Sequence, residues 1–249
     1  MDFLVFRLYA PLAAWGGIAV GQERTSDACP GKSAIIGLLG AALGIRRHEE
    51  ARLVALDAGY GYGVRIDAEG VVLRDYHTAQ VPSRVDLKGR PHCTRRDELA
   101  PARATLHTIL SFREYRCDAL ATVALWARSE APCPLADLAA ALRRPRFVLS
   151  LGRKSCAPGL PLEPQIIVAD HFDTALDAAR FAGEQWLGSD DDPLGLQRND
   201  LCLAWDVDAP VSRAAQMVVR RRDEIRSRRR WQFGERSEAQ CRLARESGA

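Results

Sequence analysis

The sequence lacks several features that would place it in a common class. Its seven cysteines are an odd number, lie far apart and form no CxxC pair, which argues against a zinc ribbon and a disulfide framework. The longest apolar stretches, such as residues 34–45, fall short of the roughly 20 residues that cross a bilayer. Asp2 and Arg7 interrupt the N-terminal apolar run, so no signal peptide is predicted. We expect a cytoplasmic protein with reduced thiols and without a metal, a cofactor or a membrane partner.

Complete catalytic motifs are also missing. The sequence contains no GxSxG and no HExxH pattern. Gly31-Lys32-Ser33 matches the end of a phosphate-binding loop, but Ser26 stands where that motif requires its first glycine. The preceding strand also ends too far upstream, which argues against a nucleotide hydrolase. A helix that begins at Lys32 and Ser33 would still offer free N–H groups to a phosphate.

The positive charge is concentrated near the C-terminus. The chain has 249 residues and a net charge of +3, yet residues 210–249 alone carry eleven arginines and five acids. Such a basic segment favours an anionic partner, of which RNA and DNA are the usual candidates. A solvated arginine-rich surface explains the same composition and stays open as the alternative.

The order of the predicted elements indicates an α+β protein with a ferredoxin-like core. The elements are strand 3–10 with a stop at Pro11, helix 35–45, strands 60–67 and 71–78 joined by a turn at 68–70, strands within 111–128, helix 134–143 and strand 147–151. Residues 79–110 are polar and weakly periodic, which predicts a long excursion from the core. We assign residues 1–155 to the core domain and residues 156–249 to a smaller β-rich segment with a basic tail.

Two basic segments carry the best signal for RNA. After the predicted strand, Gly152 permits close backbone approach, while Arg153, Lys154 and Ser155 supply phosphate contacts. Residues 112–116 interleave arginines with an aromatic ring, and strand geometry would place Arg113 and Tyr115 on one face. The RNP1 octapeptide of an ordinary RNA-recognition motif is absent.

A histidine and a tyrosine suggest a second possibility. Tyr76 and His77 are adjacent, so a metal-independent endoribonuclease that processes precursor RNA is an alternative function. No second catalytic partner is identifiable, and local packing of both rings explains them equally well.

Several segments, in order, resemble the CasD family, the Cas-five-type (RAMP superfamily) subunits of the type I-E CRISPR surveillance complex Cascade. The matching segments are FLVFRLYAPLAAWG (3–16), PGKSAIIGLLGAALGI (30–45), LRDYHT (73–78), FREYRCDALATVALW (112–126), LRRPRFVLSLGRKSC (142–156) and, more weakly, RRDEIRSRRRWQFGER (221–236).

This resemblance implies a ferredoxin-like RAMP core with an extended thumb at residues 79–110. It implies a non-catalytic subunit that holds the 5′ handle of a CRISPR guide RNA and caps the backbone filament. The implied partners are the Cascade backbone subunits, the large PAM-reading subunit and, through the assembled complex, target DNA. The candidate RNA-binding residues are Trp15, Gly16, Arg24, Lys32, Ser33, Tyr76, His77, Thr78, Arg113, Tyr115, Arg146, Gly152, Arg153, Lys154 and Ser155.

Overall fold

The computed structural model describes residues 1–90, 93–100, 106–182 and 202–243, which form nine strands and five helices. The strands are β1 (Asp2–Ala13), β2 (Glu23–Arg24), β3 (Tyr60–Ala68), β4 (Val71–Val81), β5 (His107–Ala127), β6 (Gln165–Val168), β7 (Cys202–Asp206), β8 (Met217–Ser227) and β9 (Gln232–Arg242). The helices are α1 (Lys32–Leu43), α2 (Glu50–Gly59), α3 (Arg95–Leu99), α4 (Leu135–Arg143) and α5 (Phe172–Ala178).

One sheet contains all nine strands, and its centre has ferredoxin-like connectivity. The strand order is β6-β1-β5-β3-β7-β9-β8, with β2 and β4 paired to β5 outside that path. Every neighbouring pair within β6-β1-β5-β3 is antiparallel. Helix α1 lies between β1 and β3 in the chain, and α4 lies between β5 and β6. The predicted α+β class is confirmed, and this path is the β-α-β-β-α-β order expected from the sequence.

Apolar side chains from both faces of the sheet build the core. Along β1, Leu4 and Phe6 join the cluster that includes buried residues of α1, α2 and α4, whereas Phe3 and Val5 join the cluster of α5. Successive side chains of a strand point to opposite faces, so the uninterrupted apolar run in β1 reflects helices on both sides. In α4 the buried positions follow helical spacing and are Leu135, Leu138, Ala139 and Leu142.

The first strand continues past its predicted stop at Pro11. Pro11 has no N–H to donate, but the register with β5 passes from Ala10↔Ala119 to Leu12↔Cys117 and leaves Pro11 without a ladder partner. Asp118, the residue opposite this gap, has a φ of 56°. The irregularity in β5 therefore accommodates the proline, and the strand runs on to Ala13.

The predicted strand at residues 147–151 is wrong. These residues are irregular, and the fourth strand of the ferredoxin-like path is β6, which lies beyond residue 155 and pairs with β1. Leu149 and Leu151 are nevertheless buried in the core. Their side chains are buried although the backbone forms a loop. A short apolar run in a sequence does not distinguish such a loop from a strand.

Strands β3 and β4 follow one another along β5 instead of forming a hairpin. β3 pairs with the second half of β5, and β4 pairs with the first half, from Val71↔Cys117 to Val81↔His107. Gly70 between them has a φ of +69°, and a Cβ there would overlap the Cys117 carbonyl oxygen. The predicted turn at 68–70 is thus a kink that lets the chain continue in the same direction.

The excursion predicted at residues 79–110 begins and ends within a two-stranded ribbon. Its first residues complete β4 and its last residues open β5, and these two strands pair antiparallel. Between them α3 begins with a capping box, in which the Thr94 side chain accepts from the Asp97 N–H. Residues 91–92 and 101–105 of the predicted excursion lie outside the described residues.

The C-terminal strands extend the same sheet beyond β3. β7 pairs with β3, β9 pairs with β7, and β8 forms the outer edge. The β-rich character predicted for residues 156–249 is therefore present, and its strands 202–242 share one sheet with the N-terminal core. Residues 183–201 and 244–249 lie outside the described residues.

A glycine substitution tests how closely α5 packs on the sheet. A Cβ on Gly63 of β3 would lie 2.6 Å from Cδ2 of Phe172, which is fully buried. We expect Gly63→Ala to lower the free energy of unfolding by about 1–3 kcal/mol, because the buried ring must shift. Gly16→Ala is the control, since nothing lies within 4 Å of a Cβ there. Urea denaturation measures both; equal stabilities would contradict the tight packing.

Candidate nucleic-acid interface

The loop at residues 152–155 lies against the turn at residues 14–16. Gly152 has a φ of +91°, and a Cβ there would overlap the carbonyl oxygen of Ala14. Only glycine permits this approach. The Ala14 N–H donates to the Leu151 carbonyl at 3.0 Å, which holds the two segments together. Two predicted RNA-binding segments that are distant in sequence are therefore neighbours in the fold.

Arg153 ties this loop to the β-ribbon. Its guanidinium carbon lies 4.5 Å from the centre of the Tyr115 ring. The same group donates to the carbonyl oxygens of Glu114 at 2.8 Å and Arg24 at 3.0 Å. Arg153 thus fixes the loop against β5 and β2, and several of its donors are used within the protein. The predicted phosphate contact at this position is therefore limited to the donors that remain.

Lys154 and Ser155 are the loop residues whose side chains are accessible. Both are exposed, and no described carboxylate forms an ion pair with Lys154. Arg24 is likewise exposed, and its side chain donates to the carbonyls of Gly21 and Glu23 at 2.8 Å. Since these cations keep their charge unneutralised, they are available to an anionic ligand.

Trp15 does not offer a stacking surface. Its side chain is only 5% exposed and belongs to the main core cluster. The backbone N–H of Trp15 donates to the Ser26 hydroxyl at 3.0 Å, and its backbone carbonyl accepts from the Asp27 N–H at 2.7 Å. The predicted RNA contact of Trp15 is thereby limited to its backbone, whereas Gly16 beside it is exposed with open space around it.

The predicted residues of the β-ribbon divide between its two faces. Directly paired residues share a face, and the register pairs His77 with Ser111, Asp75 with Arg113 and Leu73 with Tyr115. Arg113 and Tyr115 therefore share one face with His77, as predicted for the two β5 residues. Tyr76 and Thr78 alternate with His77 and lie on the opposite face.

The opposite face of the ribbon has its own aromatic pair. The Tyr76 ring lies 5.3 Å from the Phe112 ring and is 56% exposed. Arg74 lies over Phe112 at 4.7 Å and pairs with Glu23 at 2.8 Å. The ring of Tyr76 is thus an accessible surface, but it does not meet the face that carries His77.

Lys32 is engaged in a buried ion pair, which contradicts its predicted contact with RNA. It is 5% exposed, and its Nζ donates to Oδ2 of Asp206 at 3.0 Å. Asp206 also accepts from Arg128 at 3.1 Å and from Arg236 at 3.2 Å. To contact a phosphate, Lys32 would have to leave Asp206. The buried carboxylate would then lose one of its three cationic partners, which is unfavourable.

A second carboxylate already lies at the start of α1. The Asp223 side chain sits beside Gly31, where a Cβ would be 2.6 Å from its Oδ2. Arg236 pairs with Asp223 at 2.7 Å and with the fully buried Glu238 at 2.5 Å. Burial by itself would lower the pKa of Arg236. The two carboxylates have the larger effect, so the pKa of Arg236 is raised.

A cleft of about 350 Å³ opens between the 14–18 turn, the start of α1 and β8. Of the two predicted residues at the helix start, Ser33 lines this cleft, and its carbonyl accepts from Arg228 at 2.7 Å. The cleft is lined by Trp15, Gly16, Gly17, Ile18, Thr25, Asp27, Gly31, Ser33, Ala34, Arg220, Arg221, Arg222, Asp223 and Glu235. Its arginines and acids are equal in number, so it is polar without a strong net charge.

The arginines of β8 were not among the predicted site residues. Arg220 pairs with Glu235 at 3.3 Å, and Arg221 pairs with Asp27 at 2.8 Å. Arg222 donates to the Phe233 carbonyl and has no carboxylate partner among the described residues. The sequence signals for them were the arginine content of residues 210–249 and the weak resemblance at residues 221–236, and neither says which arginines stay free.

Arg146 lies apart from the other candidates. Its backbone N–H donates to Ala42 and its side chain packs at Gly44, near the C-terminal end of α1. Ser33 lies at the other end, about 15 Å away along the helix axis. Arg146 is exposed in a separate groove with Arg52, Asp137 and Arg144, so one compact site does not include it.

A ferredoxin-like sheet with an exposed basic loop belongs to the architectures that bind RNA. The chain matches the CRISPR-associated protein family Cas5 over residues 3–237 and belongs to this family.

In the described residues, every helix is too short or too polar to cross a lipid bilayer. No described group of three or more histidine, cysteine or acidic side chains is arranged to hold a metal ion.

Individual relatives point to one type of Cas5 protein. The chain is 36% identical over 170 residues to the "CRISPR system Cascade subunit CasD" of Escherichia coli (strain K12), covering 65% of this chain and 69% of that protein. A chain of a "CRISPR RNA-guided surveillance complex" superposes with a TM-score of 0.61 at 25% identity, over 96% of this chain and 89% of that one. A "Cas protein" crystal structure gives 0.57 at 25% identity, over 98% and 96%.

Removal of Lys32 tests its structural role. We expect Lys32→Ala to lower the free energy of unfolding by about 2–3 kcal/mol, because Asp206 keeps two arginine partners. Asp206→Ala removes the shared acceptor and should cost more, about 3–5 kcal/mol. Lys154→Ala, at an exposed lysine, is the matched control and should change stability by less than about 0.5 kcal/mol. Urea denaturation of the three variants decides; a Lys32→Ala protein as stable as Lys154→Ala would refute the role.

Proposed function

We propose that this chain is the RNA-binding Cas5-type subunit of a type I-E CRISPR surveillance complex. In this role it holds the 5′ handle of the guide RNA and caps the backbone filament. The observation that carries the proposal is the 152–155 loop, which is locked against the 14–16 turn and presents Lys154 and Ser155 to solvent. Membership of the Cas5 family and the 36% identity to a Cascade CasD subunit support it.

The proposed interface reads the RNA by its backbone and its end. Gly16, with open space around it, allows the RNA to approach the main chain, and Lys154 and Arg24 neutralise phosphates. The Arg153 guanidinium packs on the Tyr115 ring in a cation–π contact, which holds the loop at a fixed distance from β5. Targeting of a sequence is left to base pairing by the guide, so the protein needs no base-specific motif.

The β4–β5 ribbon and residues 79–110 form the proposed thumb. Its two faces carry different groups, with Arg113 and His77 on one and Tyr76 and Thr78 on the other. A ribbon with polar and aromatic side chains on both faces suits a segment that separates the handle from the guide region. The remaining partners in the proposal are the Cascade backbone subunits, the large PAM-reading subunit and, through the assembled complex, target DNA. A cytoplasmic location is part of the same proposal.

The proposed role is non-catalytic. An endoribonuclease that used both Tyr76 and His77 would need them on the same scissile phosphate, whereas strand alternation directs them to opposite faces. The residue opposite His77 is Ser111, whose hydroxyl accepts from Arg113 at 3.3 Å. Ser111 is therefore not an acid–base partner for the histidine, and the carboxylate that shares this face, Asp75, lies opposite Arg113 in the register.

Substitutions in the 152–155 loop test the handle-binding proposal. Lys154→Ala should weaken binding of a labelled 5′-handle RNA and reduce the salt dependence of its affinity by about 0.7 in log–log slope, the value for one phosphate contact on a single strand. Arg144→Ala, at an exposed arginine in another groove, should leave both quantities unchanged. Fluorescence anisotropy measures them. Unchanged affinity in Lys154→Ala would remove this residue from the interface.

Arg153 allows charge and positioning to be separated. If it acts by holding the loop on Tyr115, Arg153→Lys and Arg153→Ala should weaken handle binding similarly, because lysine lacks the planar fork that makes both hydrogen bonds. Rescue of affinity by Arg153→Lys would show instead that charge alone is required. The same anisotropy assay distinguishes the two results.

An RNA-cleavage assay tests the absence of catalysis. Incubation of the purified protein with precursor CRISPR RNA and a metal chelator should leave the RNA intact. Specific cleavage that is abolished by His77→Ala would overturn the non-catalytic role and assign the histidine to a ribonuclease site.

A further inference from the structure

The turn between β8 and β9 combines arginines with an exposed tryptophan. Residues 228–231 form this turn, and it lies beside the loop that carries Arg46 and Arg47. We call this group, residues 46–47 and 228–231, the arginine tip. It shares no residue with the 152–155 loop or the 14–16 turn, and it meets the cleft beside that turn through the contact of Arg228 with the Ser33 carbonyl.

The arginine tip carries positive charge that the protein does not neutralise. Residues 46–52 and 224–231 together contain seven arginines and three glutamates, a net charge of +4. Two glutamates pair within these segments, Glu49 with Arg52 and Glu224 with Arg226. Among the described residues, no carboxylate pairs with the other five arginines, which are Arg46, Arg47, Arg228, Arg229 and Arg230.

The charge around Arg228 is only partly balanced. Burial lowers the pKa of Arg228 and the nearby charge of Arg47 lowers it further, whereas the carboxylate of Asp57 raises it. By contrast, the carboxylates of Asp223 and Glu238 stabilise the charged form of the buried Arg236 and raise its pKa. An anion at the tip would relieve the repulsion that the protein leaves in place.

Trp231 supplies an aromatic surface at the same point. Its side chain is 60% exposed, whereas Trp15, Trp126 and Trp205 are all buried. The guanidinium carbons of Arg47 and Arg228 lie 5.1 Å and 5.2 Å from its ring centre. Phe233 contacts it edge-on at 5.5 Å. The ring is therefore held in place and still presents most of its surface to solvent.

The backbone of the tip is anchored. Glu50 at the start of α2 accepts from the Ser227 hydroxyl and, at 3.3 Å, from the Arg229 N–H. The Arg230 N–H donates to the Ser227 hydroxyl at 3.1 Å. Arg228 reaches back to the carbonyl of Ser33 on α1 at 2.7 Å. These contacts fix the turn, while the side chains of Arg229 and Arg230 remain exposed.

We propose that the arginine tip is a second binding surface for single-stranded nucleic acid. An unpaired base stacks on Trp231, and the flanking phosphates contact Arg229, Arg230, Arg46 and Arg47. Exposed aromatic rings bordered by arginines are the means by which proteins bind single strands without reading their sequence. A base in a duplex is already stacked, so the tip favours single strands. This inference does not depend on the handle-binding loop.

Substitutions at the tip, made in the full chain, test the proposal. The probes are labelled oligouridine, oligothymidine and a DNA duplex, none of which contains a handle. Trp231→Ala should raise the dissociation constant for the single strands about ten-fold, and Trp231→Phe should restore most of the affinity. Arg230→Glu should weaken binding of every probe. On a single strand it should also reduce the salt slope by about 0.7 for each phosphate that the side chain no longer neutralises.

Matched variants make the result specific. Arg144→Glu changes the net charge equally at an exposed arginine in another groove, and it should leave binding unchanged. Lys154→Ala should weaken handle RNA more than oligouridine, whereas the tip variants should show the reverse. Comparison of oligouridine with oligothymidine tells whether the strand that occupies the tip is RNA or DNA.

Three results would overturn the proposal. The first is unchanged single-strand binding in both Trp231→Ala and Arg230→Glu. The second is an equal decrease in binding for Arg144→Glu, which would indicate a general charge effect. The third is a result in which the tip variants no longer bind a purified partner subunit but keep their affinity for nucleic acid. That result would make the tip a protein-binding surface. Because Arg229 and Arg230 are exposed, Arg230→Glu keeps the test valid even if Trp231→Ala is poorly folded.

Discussion

The buried carboxylate of Asp206 is the contact on which the arrangement of this protein depends. It accepts hydrogen bonds from Lys32 at the start of α1, Arg128 after β5, Arg236 on β9 and the Tyr62 N–H on β3. One side chain thereby joins the ferredoxin-like centre to the C-terminal strands. A buried carboxylate is costly unless its partners are all present, so these four elements are held in one geometry.

This network also decides which cations face solvent. Lys32 and Arg236 form ion pairs with buried carboxylates, and Arg221 pairs with both Asp27 and Glu238. Lys154 and the arginines of the tip have no such partner among the described residues. The protein therefore separates structural cations, which join strands, from exposed cations, which can neutralise nucleic-acid phosphates. Membership of the Cas5 family supports the role proposed for Lys154.

Much of the fold could be predicted because it follows from local periodicity. The apolar run of β1, the helical spacing in α4 and the order of elements all led to the ferredoxin-like path. The errors arose where apolar residues were buried without regular structure, as at Leu149 and Leu151, or where a partner strand compensated, as opposite Pro11. The β3–β4 kink was missed because pairing of both strands with β5 is a long-range property.

The sequence by itself determined the class of fold and the family to which the chain belongs. Only the tertiary structure decided which candidate side chains are available. It buried Trp15 and Lys32, and it assembled Arg47 with Trp231 from distant segments. The physical reason is that the availability of a charge or a ring depends on its partners, which here lie far away in the sequence. The Gly-Lys-Ser stretch thus starts a helix whose lysine neutralises the protein's own aspartate.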